Sequence, residues 1–238
     1  MEDIILVNLI MVVGACVQSV IGYGLGLICA PLVFLINPEY VPIPMIMNSF
    51  ILCVLQVIKA HKTLRINEVG WAVVGNMSGI LLAVIVMLFI SSTDFSLIFG
   101  LLILTAVLIS FNGYHPVINR SSSLIAGFAS GVMGVFTSVG GPPIALLYQS
   151  ASNEKILANL PAFFLITTTF ALVALYVAGH FQRHHVDLFL HCLPGVALGF
   201  FVSPLVRKWL AERSLRPFIL AVAGISGLYS VIKGLISY

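Results

Sequence analysis

The chain of 238 residues is 60% hydrophobic and 8% charged, with a mean hydropathy of +1.13. Soluble domains carry about 25% charged residues, so this composition excludes a soluble protein and predicts a polytopic membrane protein. The net charge of +3 does not indicate a nucleic-acid-binding surface, because the basic residues fall in loops near the ends of apolar runs, where they report topology.

The apolar segments predict an all-α fold made of one transmembrane domain over residues 1–238. A spanning helix needs about 20 apolar residues. The chain begins Met-Glu-Asp, without the basic region or cleavage site of a signal peptide, so we expect the first apolar run to be retained. In chain order, the apolar segments are 4–21, 22–36, 41–60, 69–90, 95–111, 122–138, 142–151, 157–178, 187–203 and 215–236.

Two helix-breaking stretches interrupt this apolar sequence near the start of each half. The first break is GYGLG at residues 22–26, with Pro31 after it, and the second break is SVGGPP at residues 138–143. Unpaired backbone is tolerated at membrane depth only where protein buries it or where it lines a cavity. Interrupted segments at corresponding places in two halves therefore indicate the binding site of a transporter.

The order of features along the two halves predicts an internal repeat, with repeat one at residues 1–115 and repeat two at residues 120–238. In each half, the break is followed by a helix with an asparagine, then by a basic loop containing histidine, and then by Gly-x-x-x-Gly. We attribute the two glycine pairs to close helix packing. They are Gly75 with Gly79 and Gly195 with Gly199.

The distribution of Lys and Arg distinguishes two topologies. If each broken segment crosses the membrane once, the two sides carry six and five basic residues, which gives no orientation. If each broken segment enters and returns as a re-entrant hairpin, each half adds three full spans and the second half is inverted. The nine basic residues of one side are then Lys59, Lys62, Arg65, Arg120, Lys155, Arg207, Lys208, Arg213 and Arg216, against Arg183 and Lys233 on the other. The positive-inside rule therefore favours two hairpins, six spans and both termini outside the cytoplasm.

The two breaks predict an anion site without a cationic side chain, because no Asp, Glu, Lys or Arg lies at the centre of a predicted span. The start of a helix offers free N–H groups and a partial positive charge, and glycine lets the backbone approach a ligand closely. Proline suits the first turn of the restarted helix. The candidate substrate-binding residues are Gln18, Ser19, Gly22, Tyr23, Gly24, Gly26, Asn48, Thr137, Ser138, Gly140, Gly141, Pro142 and Asn159.

These residues also have structural alternatives. Glycine in a membrane helix can serve packing alone, and asparagine can hydrogen-bond between helices. We interpret Asp187 as an N-cap or first-turn acid and His191 as a hydrogen-bonded packing residue, with proton coupling by the pair as the alternative. The four cysteines lie in apolar segments and are interpreted as buried small hydrophobes, so we expect no metal and no cofactor.

The residues around the two breaks carry a family resemblance. They are GYGLGLICAP at residues 22–31, Gly131, Gly134, GGPP at residues 140–143, and Asn159. With these motifs the chain resembles the sulfite exporter TauE/SafE family of prokaryotic integral membrane proteins. The resemblance implies export or uptake of small anions, chiefly sulfite and organosulfonates, across the cytoplasmic membrane, and carboxylate-type anions are proposed for some members.

The leading hypothesis is therefore a small-anion transporter, not an enzyme, that works by alternating access in the inner membrane of a prokaryote. An ion channel is the alternative, since TSVGG at residues 137–141 is faintly similar to a potassium-filter loop, although such a filter needs four equivalent loops. An intramembrane enzyme using Ser138 and His191 lacks a Gly-x-Ser-x-Gly elbow. The expected partners are the anion and the lipid bilayer, without nucleic acid; a homodimer, the transport direction and the coupling ion stay open.

Overall fold

The computed structural model describes residues 2–60, 69–111, 116–148, 153–212 and 216–236. This part of the chain consists of helices and contains no strand, which confirms the predicted all-α class. The elements are α1 (Glu2–Ile21), α2 (Leu25–Ile36), a short 3-10 helix (Pro38–Tyr40), α3 (Ile43–Ala60), α4 (Gly70–Met87), α5 (Ser92–Phe111), α6 (Arg120–Thr137), α7 (Gly141–Tyr148), α8 (Asn153–Val177), α9 (Arg183–Glu212) and α10 (Arg216–Ile236).

Five of these helices are long and apolar enough to cross a membrane, which confirms a multi-pass membrane protein. They cover Asp3–Ile21, Ile43–Ala60, Gly70–Met87, Asn159–Val177 and Arg183–Arg207. The other two predicted spans correspond to α5 and α10, within which the described apolar stretches are Asp94–Ser110 and Ala223–Ile232, and α2 is a shorter apolar helix.

The ninth helix differs from its sequence prediction at both ends. The apolar segment 187–203 was expected to be followed by a polar connection from residue 204, but α9 runs from Arg183 to Glu212, a length of about 45 Å at 1.5 Å per residue. The prediction was wrong because Pro204 lies inside the helix, and membrane helices tolerate proline. The N-cap interpretation of Asp187 was also wrong, since Asp187 is the fifth residue of α9 and falls beyond its first turn.

Glycine faces bring two pairs of helices into backbone contact. Gly75 and Gly79 of α4 lie against backbone of α6, and Gly195 and Gly199 of α9 lie against backbone of α1, so that an added Cβ would overlap the facing helix. In both pairs, later residues of one helix contact later residues of the other, so the two helices run parallel. The other extensive packings join α5 to α10 and α3 to α8. Exchanging helices α1–α5 for α6–α10 maps the α4–α6 pair onto the α9–α1 pair, and it maps the α5–α10 and α3–α8 pairs each onto itself.

The second helix runs back along the first. Cys29 Sγ of α2 donates to the carbonyl of Ile10 in α1 at 3.3 Å, and the N–H of Leu25 donates to Gln18 Oε1 at 3.1 Å. A continuous helix would separate residues 10 and 29 by roughly 28 Å. The first break is therefore the tip of a helical hairpin.

The direction of α3 independently requires this reversal. Asn48 Nδ2 lies 3.4 Å from the carbonyl of Phe189, and Lys59 Nζ lies 5.6 Å from the ring centroid of Phe200, so α3 and α9 advance together. Because α1 also runs parallel to α9, α1 and α3 point the same way. The chain can do this only by returning between them through α2.

The same reasoning applies to the second break. The first residues of α4 share a core with Leu160 and Phe163 of α8, and later residues of α4 share a core with Ala171 and Leu175. Helix α4 is thus parallel to α8 as well as to α6, so α6 and α8 point the same way. Helix α7 makes the return between them, and the second break is the tip of this second hairpin.

Candidate functional site

The two breaks contact each other directly. A Cβ added at Gly26, in the first break, would overlap the carbonyl of Ser138 in the second break. A Cβ added at Gly141 would lie 3.2 Å from the ring of Tyr23. Residues more than 110 positions apart in the sequence therefore form one junction, and the glycines there leave no room for a side chain.

Backbone turns at glycine and a side-chain cap define the first break. Gly22 and Gly24 have φ values of 93° and 130°, in the region that favours glycine. The N–H of Gly22 donates to the carbonyl of Gln18 at 2.7 Å, which ends α1. The side chain of Gln18 then accepts from the N–H of Leu25, the first residue of α2, and the buried Gln56 donates to the Gln18 carbonyl at 3.0 Å. Gln18 thus ties both arms of the hairpin to α3.

Two hydroxyls hold the second break. Ser138 adopts a left-handed conformation with φ of 57° and caps α6 through its N–H, while its Oγ donates to the carbonyl of Pro42 at 3.0 Å. Thr137 Oγ1 donates to the carbonyl of Met133 at 2.6 Å and accepts from the N–H of Val139 at 3.1 Å. Both hydroxyl protons are therefore used to fix the turn.

A cavity lies at the junction of the breaks. Its wall comes from both hairpins together with α3, α4 and α8, and none of the described residues that line it is charged. The polar side chains in the wall are Gln18, Tyr23, Ser49, Asn76, Ser130, Ser138, Thr167 and Thr168, and the glycines are Gly24, Gly26, Gly131, Gly134, Gly140 and Gly141.

The first turn of α2 offers more free hydrogen-bond donors than the first turn of α7, the helix that begins after the second break. Gly26 and Leu27 line the cavity and belong to the first turn, where an N–H group has no intrahelical acceptor. The first turn of α7 is different, because Pro142 and Pro143 have no N–H and leave only that of Gly141. An anion in the cavity would therefore find its backbone donors mainly at the first break.

A hydrogen-bonded chain crosses from α4 to the second break. Asn76 Nδ2 donates to Ser130 Oγ at 3.1 Å, and Ser130 Oγ donates to the carbonyl of Gly140 at 2.6 Å. A Cβ at Gly140 would lie 2.9 Å from the Ser130 carbonyl and 3.0 Å from Ser130 Oγ. The second break is thus held against α6 by a hydroxyl that is itself oriented by α4.

Seven of the thirteen candidate residues lie in the cavity wall and six do not. Those in the wall are Gln18, Tyr23, Gly24, Gly26, Ser138, Gly140 and Gly141; those outside it are Ser19, Gly22, Asn48, Thr137, Pro142 and Asn159. Ser19 Oγ donates to the carbonyl of Ala15 in its own helix, and Asn48 Nδ2 donates to Pro44 and Phe189.

The candidate coupling residues also lie away from the cavity wall. Asp187 and His191 are on the first half of α9, where the carbonyl of His191 accepts from Asn8 Nδ2 at 2.7 Å. This bond holds α9 against α1. Proton coupling by the pair stays a prediction.

Sequence reasoning missed Ser49, Asn76, Ser130, Thr167 and Thr168. They lie in helices α3, α4, α6 and α8, which are mostly apolar, and only the crossing of these helices brings them to one cavity. One indication was available for Asn76. It directly follows Gly75 in the Gly-x-x-x-Gly of α4, and the close approach that these glycines permit buries it against α6.

The fold and the cavity define a polytopic membrane protein with two helical hairpins that meet at an uncharged cavity. The family model for sulfite exporter TauE/SafE matches residues 7–230, nearly the whole chain. The protein belongs to the TauE/SafE family, which is a family of membrane sulfite and anion exporters rather than of enzymes. Comparison with curated proteins and with solved structures found no match.

Proposed function

We propose that this protein moves a small anion of the sulfite or organosulfonate class across the cytoplasmic membrane, and that the anion binds in the cavity between the two breaks. The observation that carries the proposal is the meeting of the two hairpin tips around a cavity without a charged residue in its described wall. A helix start can hold an anion through N–H groups and the helix dipole alone. Such a site binds without a fixed positive charge, which favours release.

The corresponding helix pairs of the two halves support alternating access as the mechanism, on the proposal that the halves form an inverted repeat. The pairing of α4 with α6 corresponds to that of α9 with α1 when the halves are exchanged, and a pair of glycines makes the contact in both. Two structurally equivalent halves can rock about a site at their junction. We place the hairpins as re-entrant segments, one entering from each side of the membrane.

The charges at the two ends of the helix bundle support the predicted orientation. At the end where α9 begins, Glu39 pairs with His184 at 2.9 Å. At the opposite end, the guanidinium of Arg120 lies 3.8 Å from the ring centroid of Trp71, and Lys59 lies in the last turn of α3. The positive-inside rule places this second end in the cytoplasm. Among the basic residues counted in the sequence, Lys62, Arg65 and Arg213 lie outside the described residues.

Two other functions are weighed against this proposal. A carboxylate-type anion could use the same N–H donors, so the substrate class rests on the family more than on the cavity. An ion channel is disfavoured because the hydroxyls of Thr137 and Ser138 in the TSVGG stretch hold a turn by donating to the carbonyls of Met133 and Pro42, whereas a potassium filter needs four equivalent loops around one pore.

Flux into liposomes containing the purified protein tests the function. We expect uptake of sulfite or a small sulfonate, inhibited by related anions, and no comparable uptake in Gly24→Val and Gly140→Val variants that still insert. A side chain at Gly24 is strained by its φ of 130°, and one at Gly140 meets Ser130. Absence of flux for every small anion would overturn the proposal, and large cation-selective currents would favour the channel.

A further inference from the structure

The side chains around the cavity supply no counter-charge to a ligand. Eight polar side chains of the described residues line it, and each of them carries an amide or a hydroxyl group. Charged contacts lie at the ends of the bundle instead, where Glu39 pairs with His184 and Arg120 contacts Trp71. An ion in the cavity therefore depends on the backbone for electrostatic stabilisation.

The helix ends at the junction provide only a fraction of a unit charge. The starts of α2 and α7 each carry about half a positive charge, which is what a helix dipole places at one end. Helices α1 and α6 end at the same two breaks, so they bring an opposite partial charge to the junction. The net positive charge that a ligand meets is therefore smaller than one unit.

The cap of α2 leaves its partial charge available to a ligand. Gln18 Oε1 accepts from the N–H of Leu25 at 3.1 Å, so a neutral amide rather than a carboxylate caps the first turn. Helix starts favour Asp and Glu, because a carboxylate compensates the partial positive charge. With Gln18 in this place, the compensating negative charge has to come from the ligand.

A second negative charge on the ligand costs more than this site returns. The free energy lost when an ion leaves water grows with the square of its charge, whereas its attraction to fixed partial charges grows in proportion to the charge. A dianion thus loses about four times the hydration of a monoanion and gains about twice the attraction. We infer that the cavity selects singly charged anions, such as a sulfonate or hydrogensulfite, over dianions such as sulfate and fully ionised sulfite. This inference rests on the proposed function and narrows its substrate class.

The inference makes the binding of sulfite depend on pH through the ligand itself. Sulfite takes up a proton near neutral pH to give hydrogensulfite, whereas methanesulfonate keeps one charge and sulfate keeps two. On the alkaline side, the apparent affinity for total sulfite should fall about tenfold per pH unit with the protonated fraction. Methanesulfonate controls for titration of the protein, because Tyr23 in the wall and Cys53, whose Sγ lies 3.7 Å from Gln18 Nε2, would affect both anions.

Binding of these three anions to the purified protein and their flux into liposomes, each measured across neutral pH, test the inference. We expect constant affinity for methanesulfonate, the alkaline fall for sulfite, and affinity for sulfate at least about tenfold below that for methanesulfonate. Sulfate bound as tightly as methanesulfonate, with or without sodium, would overturn the inference and leave anion transport standing. A parallel fall for sulfite and methanesulfonate would also overturn it, since a protein group would then be the cause. Failure of all three anions to bind or cross at every pH would overturn the proposed function together with the inference.

Two variants change the charge of the wall. Gln18→Glu keeps the shape of the cap but adds a carboxylate beside the first turn of α2, so it should weaken methanesulfonate binding by at least about tenfold. Thr168 lies partly exposed in the wall, and Thr168→Lys should raise the affinity for sulfate relative to methanesulfonate. Thr168→Met is the matched control without charge and should keep the original ratio. Unchanged methanesulfonate binding in Gln18→Glu, or the same ratio in both Thr168 variants, would contradict the inference; if Thr168→Lys does not fold, Gln18→Glu decides.

Discussion

Gly26 is the residue at which the first break meets the second. Its missing side chain lets the start of α2 approach the carbonyl of Ser138. In Gly26→Ala, the added Cβ should separate the breaks and lower anion flux strongly while the protein still inserts, because forcing an extra methyl into a packed junction costs about 1–3 kcal/mol. Flux in liposomes checks this, with Gly224→Ala as the control, since nothing lies within 4 Å of a Cβ there. Equal flux in the two variants would contradict the role of the junction.

Gln18 contributes to stability through the cap that it gives α2. Replacing Gln18 by Leu removes the acceptor of the Leu25 N–H and the partner of Gln56, so we expect a loss of about 1–3 kcal/mol in the free energy of unfolding. The neighbouring Ser19→Ala should change stability by less than about 0.5 kcal/mol, because its hydroxyl bonds only within α1. Thermal unfolding in detergent compares the two. A similar shift in both variants would argue against the cap.

Some residues of the candidate site could be predicted from the sequence, and others could not. Gly24, Gly26, Gly140 and Gly141 could be predicted to line the cavity, since a helix break within apolar sequence needs a buried or cavity-lining position, whereas Gly22 of the same break lies outside the wall. Asn76 and Ser130 could not, because their place in the wall depends on how α4 crosses α6. Thr137 was chosen for its hydroxyl and its position, but that hydroxyl is used inside the turn.

At the scale of elements, the glycine contacts of α4 on α6 and of α9 on α1 should be energetically equivalent. Gly75→Ala would drive a Cβ into the backbone of Leu124, and Gly195→Ala would drive one into the backbone of Asn8. We expect each to lower the free energy of unfolding by about 1–3 kcal/mol. Gly70→Ala is the control on α4, where a Cβ meets nothing within 4 Å. Chemical unfolding of the three variants measures this, and a change confined to one interface would contradict the correspondence of the halves.

The hairpins themselves could be predicted from charge counting, whereas the ends of the longest helix could not. The nine-against-two distribution of basic residues already favoured a return of each broken segment, and the parallel course of α1 and α3 requires it for the first. Helix α9 was predicted too short, because Pro204 and the polar residues after it are also typical of a loop. Hydropathy locates where lipid ends, but a helix can continue beyond the membrane.

At the scale of the whole molecule, the two ends of the bundle should face different compartments. In a background without cysteine, Glu39→Cys and His184→Cys should react with a membrane-impermeant maleimide applied to intact cells, because both side chains are more than half exposed at the same end. Arg120→Cys, at the opposite end, should react only after the membrane is permeabilised. Labelling with the reverse preference would contradict both the orientation and the predicted outer position of the termini.

The central claim is that a small anion binds at the junction of the two breaks. The most direct measurement is a cryo-electron microscopy map of the protein in lipid nanodiscs, saturated with a small sulfonate. We expect ligand density in the cavity, within hydrogen-bond distance of the N–H groups of Gly26 or Leu27 and beside Asn76. An empty cavity at saturation, or density bound only at the basic residues on the membrane faces, would contradict the account.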